Sequence, residues 1–187
     1  MPSVSLQHWQ NDRMPRLTQI DAQCAASLAA VPPNAYLIEE NLRGYVVLLS
    51  AHFQGFCRDL YTEAAQLIAF GVRPRLRLLL VAQFSARRVL DHGNPNIDNI
   101  AKDFDRFGFD LRAEINTDPA NASRQQHLAT LNQWRNVAAH QGTALPAGGP
   151  LTLPTLQAWR QSCSGLATSL DAIMYNEVRM ILRRKPW

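Results

Sequence analysis

Lysine is nearly absent from this chain. Of its nineteen cationic side chains only Lys102 and Lys185 are Lys, and seventeen are Arg, against fifteen acids and a net charge of +4. Arg carries a planar fork that matches phosphate oxygens, so an Arg-heavy basic chain fits a nucleic-acid partner, and a genome-wide drift from Lys to Arg fits it equally well. Cysteine is scarce: Cys24, Cys57 and Cys163 are widely spaced and odd in number, which excludes a simple disulfide framework or a zinc ribbon. They read as buried free thiols. No apolar run approaches the roughly 18 residues of a membrane span. The opening MPSVSLQHWQNDR lacks the basic-then-apolar order of a secretory signal, so the expectation is a soluble, cytoplasmic protein without membrane contact. No His/Cys/Asp cluster has metal-ligand spacing, and no phosphate loop, dinucleotide fingerprint or G-x-S-x-G elbow occurs. Nothing calls for a metal or a cofactor.

β-branched apolar residues are few as well. Val and Ile total 17, whereas Leu and Ala total 48, which favours helices over strands. Punctuation then divides the chain. Residues 1–14 read as an extended arm. A helix over 17–30 stops at Pro32-Pro33, and Asn34 caps a long one to about Phe70, with Leu42, Val46, Leu49, Phe53, Phe56 and Leu60 at steps of three and four. Pro74 suits the start of a helix over 76–90, and Asn94-Pro95-Asn96 opens another over 97–107. A loop over 116–121 precedes a helix capped by Ser123 and ending at Gly142. A Pro/Gly-rich connection, 144–154, leads to the last helix, 155–183. The expectation is one all-α domain over 1–187, an up-and-down bundle of five or six helices.

Charge is uneven. Arg73, Arg75, Arg77, Arg87 and Arg88 lie in an acid-free stretch, and Arg183, Arg184 and Lys185 make a basic C-terminus that is a candidate for RNA binding, or simply a solvated face.

The chemistry concentrates in Trp134-Arg-Asn-Val-Ala-Ala-His-Gln-Gly142. An Arg followed by His four to six residues later is expected by chance roughly 1.4 times in this composition, and Arg87–His92 is a second instance. Requiring Asn directly after Arg and His at the fifth position lowers the chance to roughly 0.03. That segment, R-N-V-A-A-H, resembles the motif of HEPN domains. Tyr45–Tyr61 resembles the long core helix of the RiboL-PSP-type branch, where many members carry an acid near the place of Gln54; Asp59 is the nearest acid that would replace it. The resemblance spans about residues 35–180.

Physically, Asn136 and His140 stand four apart on one helix face, whereas Arg135 and His140 are about 140° apart, so one isolated helix does not aim both at one point. The resemblance implies a two-fold homodimer whose two motifs share a cleft. It implies a metal-independent endoribonuclease, a toxin or phage-defence effector, with His140 exchanging protons, Arg135 holding phosphate and Asn136 orienting His or binding an oxygen. RNA is then the substrate, with an antitoxin or defence-system protein as a further partner. The alternative is a non-catalytic HEPN module that binds a nucleotide or a partner protein. A His and an Arg at a helix end also serve the helix dipole and terminal carbonyls without any chemistry.

Overall fold

The computed structural model describes residues 1–139 and 150–187. Among them there is no strand, and the elements are α1 (Val4–His8), a π-helical turn (Trp9–Arg13), α2 (Met14–Ala29), α3 (Ala35–Phe70), α4 (Pro74–Ser85), α5 (Ile97–Phe104), α6 (Leu111–Ile115), α7 (Ala120–Ala139) and α8 (Leu153–Leu182). The all-α expectation holds, with more helices than the five or six read from the sequence.

α3 is the axis of the bundle. Its buried stripe, Leu42, Tyr45, Val46, Leu49, Phe53, Phe56, Cys57, Leu60 and Ala64, repeats at three and four and so presents one continuous apolar face. α2, α7 and α8 pack on that face, and α4 lies along its C-terminal half. Side-chain caps set the starts. Asn34 Oδ1 accepts from Leu37 N at 3.1 Å, Asn96 Oδ1 from Asn99 N at 2.8 Å, and Asp110 Oδ1 from Ala113 N at 3.0 Å. All three cysteines are free and buried.

The extended arm is corrected. Residues from Val4 onward are helical and run without a break into α2, because Leu6 and Trp9 are core residues. The first turn is pinned from two sides: Ser3 N donates to Asp171 at 3.2 Å, and Glu63 accepts from Val4 N and Ser5 N at 3.0 and 2.9 Å. Arg13 crosses α3 at Gly55, where a Cβ would lie only 2.0 Å from its Nη1. Composition alone did not show that this segment had a groove to fill.

Other boundaries shift for local reasons. The helix from Pro74 stops at Ser85, and Val89–Asp91 is a separate single turn. α5 ends at Phe104 with one tight turn to Phe107, closed by Gly108 at φ +94°. Asp110 starts a short helix, Leu111–Ile115, ahead of the expected loop, and α7 begins at Ala120, within that loop and not after Ser123. The expected helix end at Gly142 lies outside the described residues.

Candidate functional site

The last turns of α7 carry the motif. Leu128, Leu131 and Trp134 face the core, which fixes the rotation of the helix and leaves Arg135 half-buried and Asn136 exposed. His140 follows Ala139 directly and lies outside the described residues, so Arg135 and Asn136 are the part of the motif that has a described geometry. Arg135 Nη1 donates to Asn136 Oδ1 at 3.4 Å.

A second donor reaches the same oxygen from another part of the chain. Asn94 Nδ2 lies 2.8 Å from Asn136 Oδ1. Arg is only ever a donor, so its approach identifies this atom of Asn136 as the carbonyl oxygen. With that oxygen taken, Asn136 keeps its two Nδ2 hydrogens for an outside acceptor.

Asn94 is placed by a tightly tied connection between α4 and α5. Asp103, almost wholly buried, accepts from Val89 N and Leu90 N at 2.8 Å each. Gln54 on α3 donates Nε2 to the carbonyls of Leu90 at 2.6 Å and Gly93 at 2.9 Å. Gly93 is required by close approach: a Cβ would stand 2.7 Å from Asn99 Nδ2. That amide in turn donates to the Asn94 carbonyl at 2.9 Å. An aromatic cluster anchors the connection below, with Phe107 4.8 Å from Tyr61 and 4.9 Å from Phe84 between ring centroids.

Gln54 therefore does not offer its amide to the motif; it holds the connection that carries Asn94. Asp59 is engaged elsewhere. Five residues along α3 turn it about 140° from Gln54, and it meets Arg13 Nη2 at 2.6 Å and His8 Nδ1 at 3.7 Å. It answers the N-terminal helix, and the structure does not bring it to Arg135. His92, the weaker histidine, stands on the connection two residues before Asn94. Its neighbour Asp91 pairs with Arg88 at 2.7 Å and Arg58 at 3.0 Å, and these cations hold its carboxyl below the usual range. His127 is no free surface residue, since its Nδ1 lies 2.7 Å from Ser162 Oγ on α8.

Arg183, Arg184 and Lys185 lie far from the motif. α7 and α8 pack as neighbours, and Trp134 near the end of α7 shares a groove with Pro150 and Leu151 just ahead of α8. α8 has 30 residues, so its basic end is about 45 Å along the axis from that start. One protomer does not unite these cations with Arg135.

Two residues were missed by sequence reasoning. Asn94 read only as a helix opener, and nothing in the chain order signals a bond across 42 positions. Asn132 is 6% exposed, accepts from Ser50 Oγ at 3.4 Å, and leaves its Nδ2 without a partner among the described residues. Its signal was available: Asn132 stands four before Asn136 on one stripe of α7, and in the sequence His140 follows four residues later. A groove of about 690 Å³ runs beside this end of α7, lined by Tyr36, Glu39, Arg43, Val47, Leu48 and Ala138.

Among the described residues no helix is long and apolar enough to cross a membrane. The family model described as RiboL-PSP-HEPN matches residues 17–176. No curated protein and no solved structure matches the chain.

Proposed function

Because the chain belongs to the RiboL-PSP-HEPN family, we propose that it is a metal-independent endoribonuclease whose reacting groups are Arg135, Asn136 and His140. HEPN membership itself points to a nuclease-like or RNA-related role. The observation that carries the finer reading is the Asn136 amide, whose Oδ1 is held by Asn94 at 2.8 Å and Arg135 at 3.4 Å, leaving its Nδ2 hydrogens to donate. A fixed amide donor beside a permanently charged guanidinium is a site for a phosphate oxygen.

The chemistry follows from the residue types. A ribose 2′-OH attacks the adjacent phosphorus, forming the O2′–P bond and breaking the P–O5′ bond. Imidazole is the one motif group able to exchange protons near neutral pH, so His140 takes the 2′-OH proton, and an imidazolium returns one to the leaving 5′-oxygen. Arg135 stays protonated and stabilises the charge that grows on the phosphoryl oxygens. The products are a 2′,3′-cyclic phosphate and a 5′-OH. A homodimer with both motifs in one cleft supplies two imidazoles and two guanidinia, which resolves the poor convergence of Arg135 and His140 on one helix. A growth-arresting toxin or phage-defence effector in the cytoplasm, restrained by an antitoxin or a defence-system partner, is the matching biological setting. Arg183, Arg184 and Lys185, at the far end of α8, take no part in the cut itself.

A second reading, a non-catalytic module binding a nucleotide or a partner protein, is favoured by Gln54. It stands on the core helix where many members carry an acid, and its amide is spent on backbone carbonyls. One experiment separates the two. Purified protein is incubated with RNA in excess EDTA and the termini are analysed. Cyclic phosphate ends that persist in EDTA and vanish in His140→Ala support cleavage; strict dependence on added magnesium with 5′-phosphate products overturns the mechanism, and tight binding without any cleavage selects the second reading.

A further inference from the structure

α4 is the least covered helix of the bundle, although its sequence, PRLRLLLVAQFS, is among the most apolar. It buries no residue fully, and Leu78 and Leu79 are 79% and 67% exposed. A helix apolar on most sides is stable in water only when those sides are covered. At 100° per residue, the half-buried Arg77, Leu80, Val81 and Phe84 occupy the arc that meets α3. The opposite arc carries Leu78, Ala82, Arg75, Leu79, Gln83 and Leu76 in angular order, so Arg75 stands between the exposed Leu78 and Leu79.

The surface continues beyond α4. Leu182 Cδ2 comes within 3.1 Å of where a Cβ on Gly71 would stand, so the ends of α3 and α8 meet beside the start of α4. Phe70, with Arg77 stacked 4.3 Å above its ring, and Met180 and Ile181 are exposed there too. Around these apolar groups lie Arg73, Arg75, Arg179, Arg183, Arg184 and Lys185, none of them in an ion pair among the described residues. Residues 71–90 and 178–187 contain no acid at all. Exposed leucines in a patch rimmed by polar groups mark an interaction surface.

We propose that this face docks an acidic amphipathic helix of a partner protein. Charge complementarity selects that occupant. A second copy of the same face would set cation against cation with no carboxylate to answer them. A membrane-surface helix segregates its cations to the side away from the lipid, whereas Arg75 sits among the leucines and needs a carboxylate placed within an apolar contact. RNA offers phosphates for the rim but nothing that covers three leucines, since its bases stack on aromatic rings. A partner helix with leucines at i, i+3, i+4 and i+7, flanked by Glu or Asp, satisfies both demands. The site lies at the end of α8 remote from Arg135, so this inference stands independently of whether the motif cleaves RNA.

The test uses the full chain and a labelled synthetic peptide of leucine and glutamate, with leucine at helical spacing, beside a scrambled peptide of the same composition. Fluorescence anisotropy reads binding, and thermal melts confirm that each variant is folded. The ordered peptide is expected to bind at least about tenfold more tightly than the scrambled one. Leu79→Asp and, separately, Arg75→Glu should each weaken it by about tenfold or more, and a leucine–lysine peptide should bind Arg75→Glu better than wild type. Equal binding of the two peptides, or indifference to Leu79→Asp, overturns the proposal. So does any result in which Leu79→Asp instead abolishes binding to phosphatidylglycerol vesicles, binding to oligouridine, or self-association in sedimentation.

Discussion

Asn94 Nδ2 donates to Asn136 Oδ1 at 2.8 Å, joining the α4–α5 connection to the last turn of α7. The bond decides which way the Asn136 amide faces, and Gln54 decides where Asn94 stands. The family motif is therefore supported by residues outside it, through a chain that runs from α3 to the connection and on to α7.

Removing the Asn94 amide should affect cleavage more than stability. An exposed hydrogen bond of this kind contributes about 1 kcal/mol to folding, so Asn94→Ala should melt close to wild type. Freed to rotate, Asn136 should bind the phosphate less well, with cleavage lowered about tenfold. Asn94→Asp should be worse, because its carboxylate faces the Asn136 carbonyl. The measurement is cleavage of a fluorogenic RNA alongside melts. Full activity in both variants would show that the amide orientation is not used.

Loss of a general acid/base costs about 10² to 10⁴ in rate. His140→Ala should fall in that range or below detection, and Arg135→Ala nearly so, both with a folded bundle. His92→Ala should stay within a few fold, although His92 stands only two residues from Asn94. An inactive His92→Ala beside an active His140→Ala would move the site to the other Arg–His pair.

Five residues of helical spacing would set Arg135 and His140 about 140° apart, which predicts a dimer at micromolar concentration by sedimentation. Mixing inactive Arg135→Ala with inactive His140→Ala should then restore part of the activity, since the shared cleft of the mixed dimer would hold one Arg135 and one His140. A monomer that cleaves RNA would refute the shared cleft.

Asp21 Oδ2 and Arg160 Nη1 form an ion pair at 2.5 Å between α2 and α8, with Asp21 buried. Removing one partner leaves the other charge uncompensated away from water. Asp21→Ala should cost about 3 kcal/mol in urea unfolding, while Asp21→Leu combined with Arg160→Met should cost much less. Additive losses would mean the pair is not coupled.

Burial, then the charges of Arg13, Arg16 and His8, push the His52 imidazole below its ordinary pKa of 6.5. The unfolded chain therefore binds a proton that the folded chain resists, and stability falls as pH drops through about 6.5. Melting temperature should decline from pH 7 towards pH 5.5, and His52→Gln should flatten that part of the curve. Asp91, held low by Arg88 and Arg58, titrates only below 3.8 and leaves this window untouched. An identical decline in His52→Gln would assign the effect to another group.

Residue order alone carries the helical class, the long helix from its Asn34 cap to Phe70, and the place of Arg135 and Asn136 late in a helix. These are readable because caps, periodicity and motif spacing are local properties: each depends on residues a few positions apart. Packing alone makes the N-terminal residues a docked helix through Leu6 and Trp9, turns Asp59 to Arg13, and sets Gln54 to hold the connection carrying Asn94. Each of these joins residues dozens of positions apart in the chain. Which carboxylate a given guanidinium meets, and which carbonyl a glutamine amide reaches, follows from how helix faces rotate and pack against one another. No local pattern encodes that rotation; it is settled when the apolar faces of α1, α3, α7 and α8 are buried together.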